Sequence, residues 1–532
     1  MPRRVLMIGL DGFELSVAER LMAEGRLPGF ARLQEHAARV LLDHGPAKRS
    51  GLAWEHVSSG LSPEDAGRWA AVHFDGESYR ARQRPALTTP FPALLDRRCL
   101  VFDTPYFDLS KAQNTCGLVS WGAHDPGVPR QARPEELDAE IRSRFGPYPA
   151  QPWIYGFTWP SPERAEAMAR DLIRAAELRA EVTEWLFGER IPDWDLAIVT
   201  VSEFHSAIEA LWHGVDPDHP LNHLPSAPLA RAGIEGVYEA VDRMVGRLID
   251  RFPDTMVIAF AMHGMGPNNS DVASMALLPE LLYRDAFGTP CMGEGAWPLA
   301  ATGVPLMAGD RGWEEEVNRV LPRRMHYRPP RGRLARLRQL IRGTRHDPLS
   351  IAWMPASRYA PFWPDMPAFA LPSFYDGRIR INLKGREARG MVEPAGHAAA
   401  VDRLCALLDA CRDVATGEPV VDSYERNAAP PLEIGESHAD LTILWRGAPL
   451  GLVHPELGRI GPLPYRRSGG HSGRTGVAWL FGEGVPSGDR GTRSAFDVVP
   501  TAIEAIGAAP TAPLSGRSFL RELLPAEPAP TA

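Results

Sequence analysis

Cysteine is scarce in this sequence. Five residues in 532, Cys99, Cys116, Cys291, Cys405 and Cys411, are an odd number and widely scattered, and no Cys-x-x-Cys pair occurs. That excludes a disulfide framework or a thiolate zinc site as the organising principle. Long hydrophobic runs are missing as well. No stretch approaches the ~18 apolar residues of a membrane span, and the early apolar run 5–10 is too short for the core of a secretory signal. A cytoplasmic protein with no membrane partner is the expectation. Positive charge is not in excess: 58 lysines and arginines stand against 66 acids, a net charge of −8. That balance argues against a nucleic-acid partner.

What is present is an ordinary globular composition, 44% hydrophobic and 23% charged. The length suggests two to four units of about 150 residues. Residues 5–10 form a continuous apolar run closed by Asp11-Gly12, as in a buried parallel strand. Residues 28–38 read as a helix and 39–42 as a short strand, and a loop over 44–50 follows. Residues 162–187 and 234–251 read as long helices, 195–201 as a strand delivering a helix over 203–213, and 255–261 as a strand ending at His263. This alternation predicts an α/β fold with a mostly parallel central sheet and helices on both faces. The core is expected over 1–270 and 431–524, with a Pro-, Trp- and Tyr-rich insertion at 68–160, a cap region at 271–430 and a disordered tail at 525–532. Within the returning core, 440–445 and 477–481 read as strands and 498–506 as a helix; 378–383 alternates like a strand in the cap. Segment 323–346 holds nine arginines and no acid, with Leu334, Leu337 and Ile341 at helical spacing. It reads either as a solvated cap helix or as an anion-facing surface.

In open parallel sheets ligands sit outside the carboxyl ends of the strands, and Asp11, His205 and His263 all fall there. His205 and Glu209 are four residues apart, on one face of a helix. With the late Gly469-Gly470-His471 they make a two-histidine, one-carboxylate set. Such a set suits catalytic zinc with an open position and is tolerated by manganese or ferrous iron. The bland readings are a structural His–Glu pair and a helix-capping Asp11. Glu203, two residues before His205, reaches the same site if the strand end curls. Ser50 is a weak nucleophile that coordination to a cation can activate; the other reading is an ordinary loop serine. Lys48 and Arg49 beside it, and Arg474 near His471, read as clamps for an anionic phosphate or as solvated loop cations. His213, His219 and His223, with Asp216 and Asp218, read as a surface loop or as an outer polar shell.

Taken in order, these pieces resemble the alkaline phosphatase superfamily, especially its type I phosphodiesterase/nucleotide pyrophosphatase branch. The matching fragments are Ile8-Gly9-Leu10-Asp11-Gly12, Ser50 with Ser59-Gly60-Leu61-Ser62-Pro63, His263-Gly264-Met265, Ile381-Asn382-Leu383-Lys384-Gly385-Arg386-Glu387, Ala439-Asp440-Leu441, Gly469-Gly470-His471 and Val499-Pro500-Thr501-Ala502-Ile503. Together they span most of the chain. The resemblance implies a nucleophile at Ser50, ten residues before Gly60. It implies one ion on His205, Glu209 and His471, with the family's Asp-x-x-x-His pair become His-x-x-x-Glu, and a second ion on Asp11, Ser50 and His263. The chain departs from the pattern twice. Met262 stands where the family has a carboxylate, and Ala71 near where it has a phosphate-binding asparagine. A thioether is a poor ligand for a hard divalent ion, and Glu203 is the acid nearest to replace it. The resemblance therefore implies one or two divalent ions, zinc foremost, and a metal-dependent phosphoesterase. It would act on a small phosphodiester, nucleotide or related metabolite through a phosphoseryl enzyme. A phospho-group transferase with an organic acceptor and an inactive binding member of the superfamily stand as alternatives.

Overall fold

Short apolar runs, dry on both sides, build the centre of a nine-stranded sheet. The computed structural model describes residues 4–125, 127–155, 161–307, 312–327 and 350–523. In chain order the strands are β1 Arg4–Leu10, β2 Ala38–Asp43, β3 Cys99–Phe102, β4 Thr115–Val119, β5 Gln131–Arg133, β6 Leu196–Val201, β7 Thr255–Ala261, β8 Thr475–Phe481 and β9 Gly488–Ser494. They lie in the order β9-β2-β8-β7-β1-β6-β3-β4-β5. The central run from β7 through β1, β6 and β3 to β4 is parallel, whereas β8 runs antiparallel to both β2 and β7, and β5 antiparallel to β4.

Alternate residues of β1 feed two cores. Leu6, Ile8 and Leu10 pack with the helices Pro162–Trp185 and Ala227–Arg251, while Val5 and Met7 pack with Val57, Val498 and Ala502 from helices on the opposite face. Both faces are covered, so the strands read as continuous apolar runs rather than as alternating ones. A third apolar cluster draws on the hairpin Val72–Asp75/Arg80–Gln83 and on residues between Val272 and Leu463. It includes an antiparallel sheet ordered Ala368–Ala370, Gly377–Ile381, Leu441–Trp445, Val421–Arg426.

Two expectations change. Residues 68–160 are not merely an insertion, because β3, β4 and β5 extend the central sheet. These strands span only three to five residues, too few for a period to stand out between proline-rich loops. The segment expected at 440–445 as a returning core strand instead pairs within the smaller sheet. Its half-exposed Thr442 and Leu444 alternate with buried Leu441, Ile443 and Trp445, the signature of a one-sided sheet. The arginine-rich segment lies outside the described residues from 328 to 346, as do residues 524–532.

One buried cation ties the pieces that carry the site. Arg179, inside the long helix Pro162–Trp185, hydrogen-bonds both oxygens of Glu203 at 2.9–3.1 Å and pairs with Asp103 at 2.9 Å. All three side chains are 0% exposed. Asp103 also accepts the backbone N–H groups of Trp121 and Gly122 at 2.6 and 2.9 Å, and the Tyr148 hydroxyl donates to Glu203 at 3.0 Å. Burial opposes the charge on Arg179, but the two carboxylates outweigh it and hold the guanidinium above its ordinary value. Removing one member of such a group strands the others in the dry interior. Arg179→Met is therefore expected to lower the unfolding free energy by about 3–5 kcal/mol, read from urea unfolding followed by circular dichroism. A loss under about 1 kcal/mol would show that the network contributes little.

Candidate active site

Strand register brings the site together. Leu10 faces Val201, and Gly9 faces Phe260, so Asp11, Ser202 and Met262 emerge at one level from the carboxyl ends of β1, β6 and β7. The helix Glu203–Leu211 starts there. Gly12, at φ +77°, turns the chain against it, where a Cβ would lie 2.4 Å from the His205 Cα. Gly469 passes along the same helix so closely that a Cβ would sit 2.1 Å from the Ile208 carbonyl oxygen. Gly469 and Gly470 pair with Pro267 and Gly266, which delivers His471 to the start of the helix.

The centre of the cluster is His205. Its Nδ1 lies 3.1 Å from both oxygens of Asp11. Its Nε2 is 3.2 Å from Glu209 Oε1 and 3.0 Å from His471 Nε2. His124, on the turn after β4, stacks on His205 with ring centroids 3.8 Å apart and sets its Nε2 3.4 Å from Glu209 Oε2. Arg467 grips Glu209 through Oε1 and pairs with Asp271 at 2.9 and 3.2 Å. All of these residues are buried except His471, which is half-buried. Burial, reinforced by neighbouring cations and imidazoles, pushes His124 and His471 well below the usual imidazole range. Burial also lowers the Arg467 guanidinium to about 9.

The donor set fits a divalent ion. Ligand atoms of His124, His205 and Glu209 lie within 4.8 Å of one another. His471 Nε2 lies 3.0 Å from His205 Nε2, and His124 Nε2 3.4 Å from Glu209 Oε2. A tetrahedral ion with bonds near 2.0–2.1 Å spaces its ligand atoms by about 3.3 Å. Glu209 Oε2 and His471 Nδ1 are buried with no hydrogen-bond partner. An orphaned carboxylate oxygen facing imidazole lone pairs is costly unless a cation meets it. Arg467 occupies Oε1 and leaves Oε2 to that cation.

Ser50 ends the short turn Gly45–Ser50. Its Oγ accepts the Leu52 N–H at 3.1 Å and lies 3.5 Å from His56 Nε2. His56 Nδ1 and His44 Nε2 are 3.0 Å apart. His44 stacks on His263 at 5.9 Å, and His263 meets His471 edge-on at 5.3 Å. A continuous row of imidazoles thus runs from Ser50 to the Glu209 cluster. Burial lowers His56 to about 3 and His263 to about 4, and takes His44 well below the usual value, so the row is neutral at pH 7. Beside it opens a cavity of about 400 Å³ lined by Lys48, Arg49, Tyr375, Asp376, His471 and Arg474. Lys48 Nζ donates to the Gly473 carbonyl at 2.8 Å, and Arg49 pairs with Glu425 and Asp376.

A sequence profile described as type I phosphodiesterase/nucleotide pyrophosphatase matches residues 5–323. The chain belongs to this family. Family membership supports phosphoester hydrolysis as its chemistry. Among solved structures, wild-type alkaline phosphatase PafA is 12% identical, with a TM-score of 0.53 and 99% of this chain and 100% of that chain covered. That likeness shows the alkaline phosphatase-like fold. Phosphonoacetate hydrolase from Sinorhizobium meliloti 1021, in complex with phosphonoformate, aligns at 13% identity and a TM-score of 0.48 over 95% of this chain and 96% of that chain. Murine ectonucleotide pyrophosphatase/phosphodiesterase 5, in complex with AMP, aligns at 11% identity and a TM-score of 0.46 over 98% of this chain and 100% of that chain. No curated protein matches the sequence. Among the described residues no helix is long and apolar enough to cross a membrane.

Set beside the family pattern, the geometry corrects several expectations. His205, Glu209 and His471 converge, and Asp11 joins them through His205. Glu203 does not: both its oxygens are taken by Arg179, so it cannot replace the carboxylate lost at Met262. Residues two apart on a helix do not face the same way, which is why proximity to His205 misleads. Met262 and Ala71 lie in an apolar cluster. Of the residues expected to hold a second ion, Asp11 faces His205 Nδ1, His263 Nδ1 rests 3.0 Å from the Gly264 carbonyl, and Ser50 Oγ lies 3.5 Å from His56 Nε2. Sequence reasoning missed His124, Arg467, His44 and His56; the turn Trp121-Gly122-Ala123-His124 carried no metal-ligand spacing to reveal the first.

Of the later histidines, His223 is exposed and His219 packs on Tyr465. His213 is buried between Ser468 and Ser226, 3.3 and 3.2 Å away, and burial lowers it to about 3. Its folded value lies below the unfolded value near 6.5, so unfolded chains take up the proton first as the pH falls. Its stabilising effect is full above pH 6.5 and is lost as the pH drops toward 3. The difference in unfolding free energy between the native protein and His213→Gln is expected to rise by about 1.4 kcal/mol per pH unit from pH 4 to 6.5, then level off. Urea titrations at several pH values measure it; a pH-independent difference would contradict a neutral, buried His213.

Proposed function

We propose that the protein hydrolyses a small phosphodiester through a Ser50 phosphoenzyme, assisted by a single divalent ion held by His124, His205, Glu209 and His471. The observation that carries this reading is the buried Glu209 Oε2, without a hydrogen-bond partner among imidazoles of which one, His471, lines a cavity that also carries Lys48, Arg49 and Arg474 beside three aspartates. Histidine and carboxylate donors favour zinc and tolerate manganese or ferrous iron. Bound there, the ion supplies Lewis-acid charge to an ester oxygen.

The chain's own groups supply the rest. Asp11 accepts the hydrogen bond of His205 Nδ1–H, which fixes the tautomer and leaves the Nε2 lone pair facing inward. Arg467 holds Glu209 in one orientation. Neutral His56 accepts the hydrogen bond of the Ser50 hydroxyl and aims its oxygen at phosphorus. Lys48 and Arg474 offset the phosphate charge as the oxygen of Ser50 bonds to phosphorus and the ester alcohol departs. Water then attacks the phosphoseryl group, releases phosphate monoester and returns the hydroxyl.

Ser50→Ala is expected to lower kcat by at least about a thousandfold on 4-nitrophenyl phosphodiesters, with an unchanged circular dichroism spectrum. Acid quenching of the native enzyme during turnover, followed by mass spectrometry, should find phosphate on Ser50. Near-native turnover by the alanine variant would mean that water, not the serine, is the attacking group.

A further inference from the structure

Beyond the cavity at His471 lies a second, larger one of about 820 Å³. Asn269 lines both. The two also meet at an ion pair, Asp422 on the first cavity and Arg446 on the second, 3.7 Å apart. The second cavity is the more apolar. Val304, Pro305, Val414, Leu450, Pro462 and Tyr465 contribute to its walls. Part of this lining belongs to a small apolar cluster in which Val304 and Leu450 pack on Leu221, Leu224 and Tyr465. Its charges are unbalanced: Asp216, Asp218, Asp413 and Glu418 face only Arg446 and Arg459 among the described residues.

These features make a chamber of the size that holds organic ligands, about 300–1,000 Å³, one residue away from the cavity that holds Lys48, Arg474 and His471. The smaller cavity sets three cations, Lys48, Arg49 and Arg474, and His471 among three aspartates; the larger has apolar walls and a net acidic lining. A substrate that uses both carries its phosphate at one end and an apolar body at the other. The acidic lining repels a second phosphate, since like charges placed opposite each other disfavour association. The site thus selects against polyphosphate-bearing groups and accepts neutral or cationic ones.

We propose that the second chamber binds the organic moiety of the substrate, and that the substrate is a phosphoester of a bulky, largely apolar, uncharged or cationic alcohol. This inference rests on the phosphodiesterase reading above and names the substrate class of that site. Specificity then lies with Val304 and Leu450, whose side chains touch the organic group and not the phosphate.

Binding and turnover separate the two claims. Isothermal calorimetry on the full-length protein compares two inert probes, the 2-naphthylethyl and the methyl monoesters of methylphosphonic acid. The naphthylethyl ester is expected to bind more tightly. The ratio of the two affinities should fall at least about tenfold in Leu450→Arg, and likewise in Val304→Trp, which fills the chamber from another loop and covers the case in which the first variant misfolds. Equal affinities for the two probes, or a ratio unmoved by both variants, would overturn the chamber assignment. Inosine triphosphate binding more tightly than the naphthylethyl probe would overturn the charge argument. Probe binding that is sensitive to Leu450 and Val304, without turnover of the matching 4-nitrophenyl diesters, would overturn the hydrolase reading and leave the chamber in place.

Discussion

The active-site geometry depends on a positive charge that never reaches water. Arg179 joins Glu203, the first residue of the helix that carries His205 and Glu209, to Asp103, which in turn holds the backbone of the turn carrying His124. A dry ion pair is rarely a gain in net stability over a well-packed apolar core. Its value here is positional. Rings stacked 3.8 Å apart from residues 81 positions distant in sequence (205 − 124) require that the two backbone segments keep a fixed spacing. A guanidinium with directional hydrogen bonds to both segments supplies it.

The same exclusion of water sets the chemistry. Imidazoles packed against one another and against cations stay neutral, and neutral imidazoles offer lone pairs. Asp11 faces Nδ1 of His205, and Arg467 takes one oxygen of Glu209, so Nε2 of His205 converges with Glu209 and His471. The row from Ser50 through His56, His44 and His263 to His471 connects the candidate nucleophile to that point without an intervening charge. At Met262 the strand end carries a thioether packed in an apolar cluster rather than a carboxylate. Asp11 faces His205, and His124 stacks on the same imidazole.

Much of this was legible in the sequence. Continuous apolar runs ending in Asp11, Ser202 and His263 announced parallel strands buried on both faces, and such strands put their carboxyl ends side by side. The spacing of His205 and Glu209 announced a shared helix face. What stayed hidden was set by contacts between distant segments. His124 follows a five-residue strand in a stretch rich in proline and aromatics, where no period survives to mark it. Arg467 looked like one of many arginines. Glu203 was read as a ligand because it is near His205 in sequence, although the helical turn sends the two side chains to different sides. The strand Leu441–Trp445 was assigned to the wrong sheet because an apolar run of five residues does not say which partner it will find.

One measurement bears most directly on the central claim of a single ion bound through His124 and Glu209. The full-length protein is stripped with chelator, reloaded with zinc, freed of excess metal and analysed for zinc by plasma mass spectrometry, together with Glu209→Gln and His124→Ala. The expected result is one zinc per chain in the native sequence and a marked loss in both variants, with their circular dichroism spectra unchanged. Two zinc ions per chain, no zinc, or one zinc retained undiminished in both variants would contradict it.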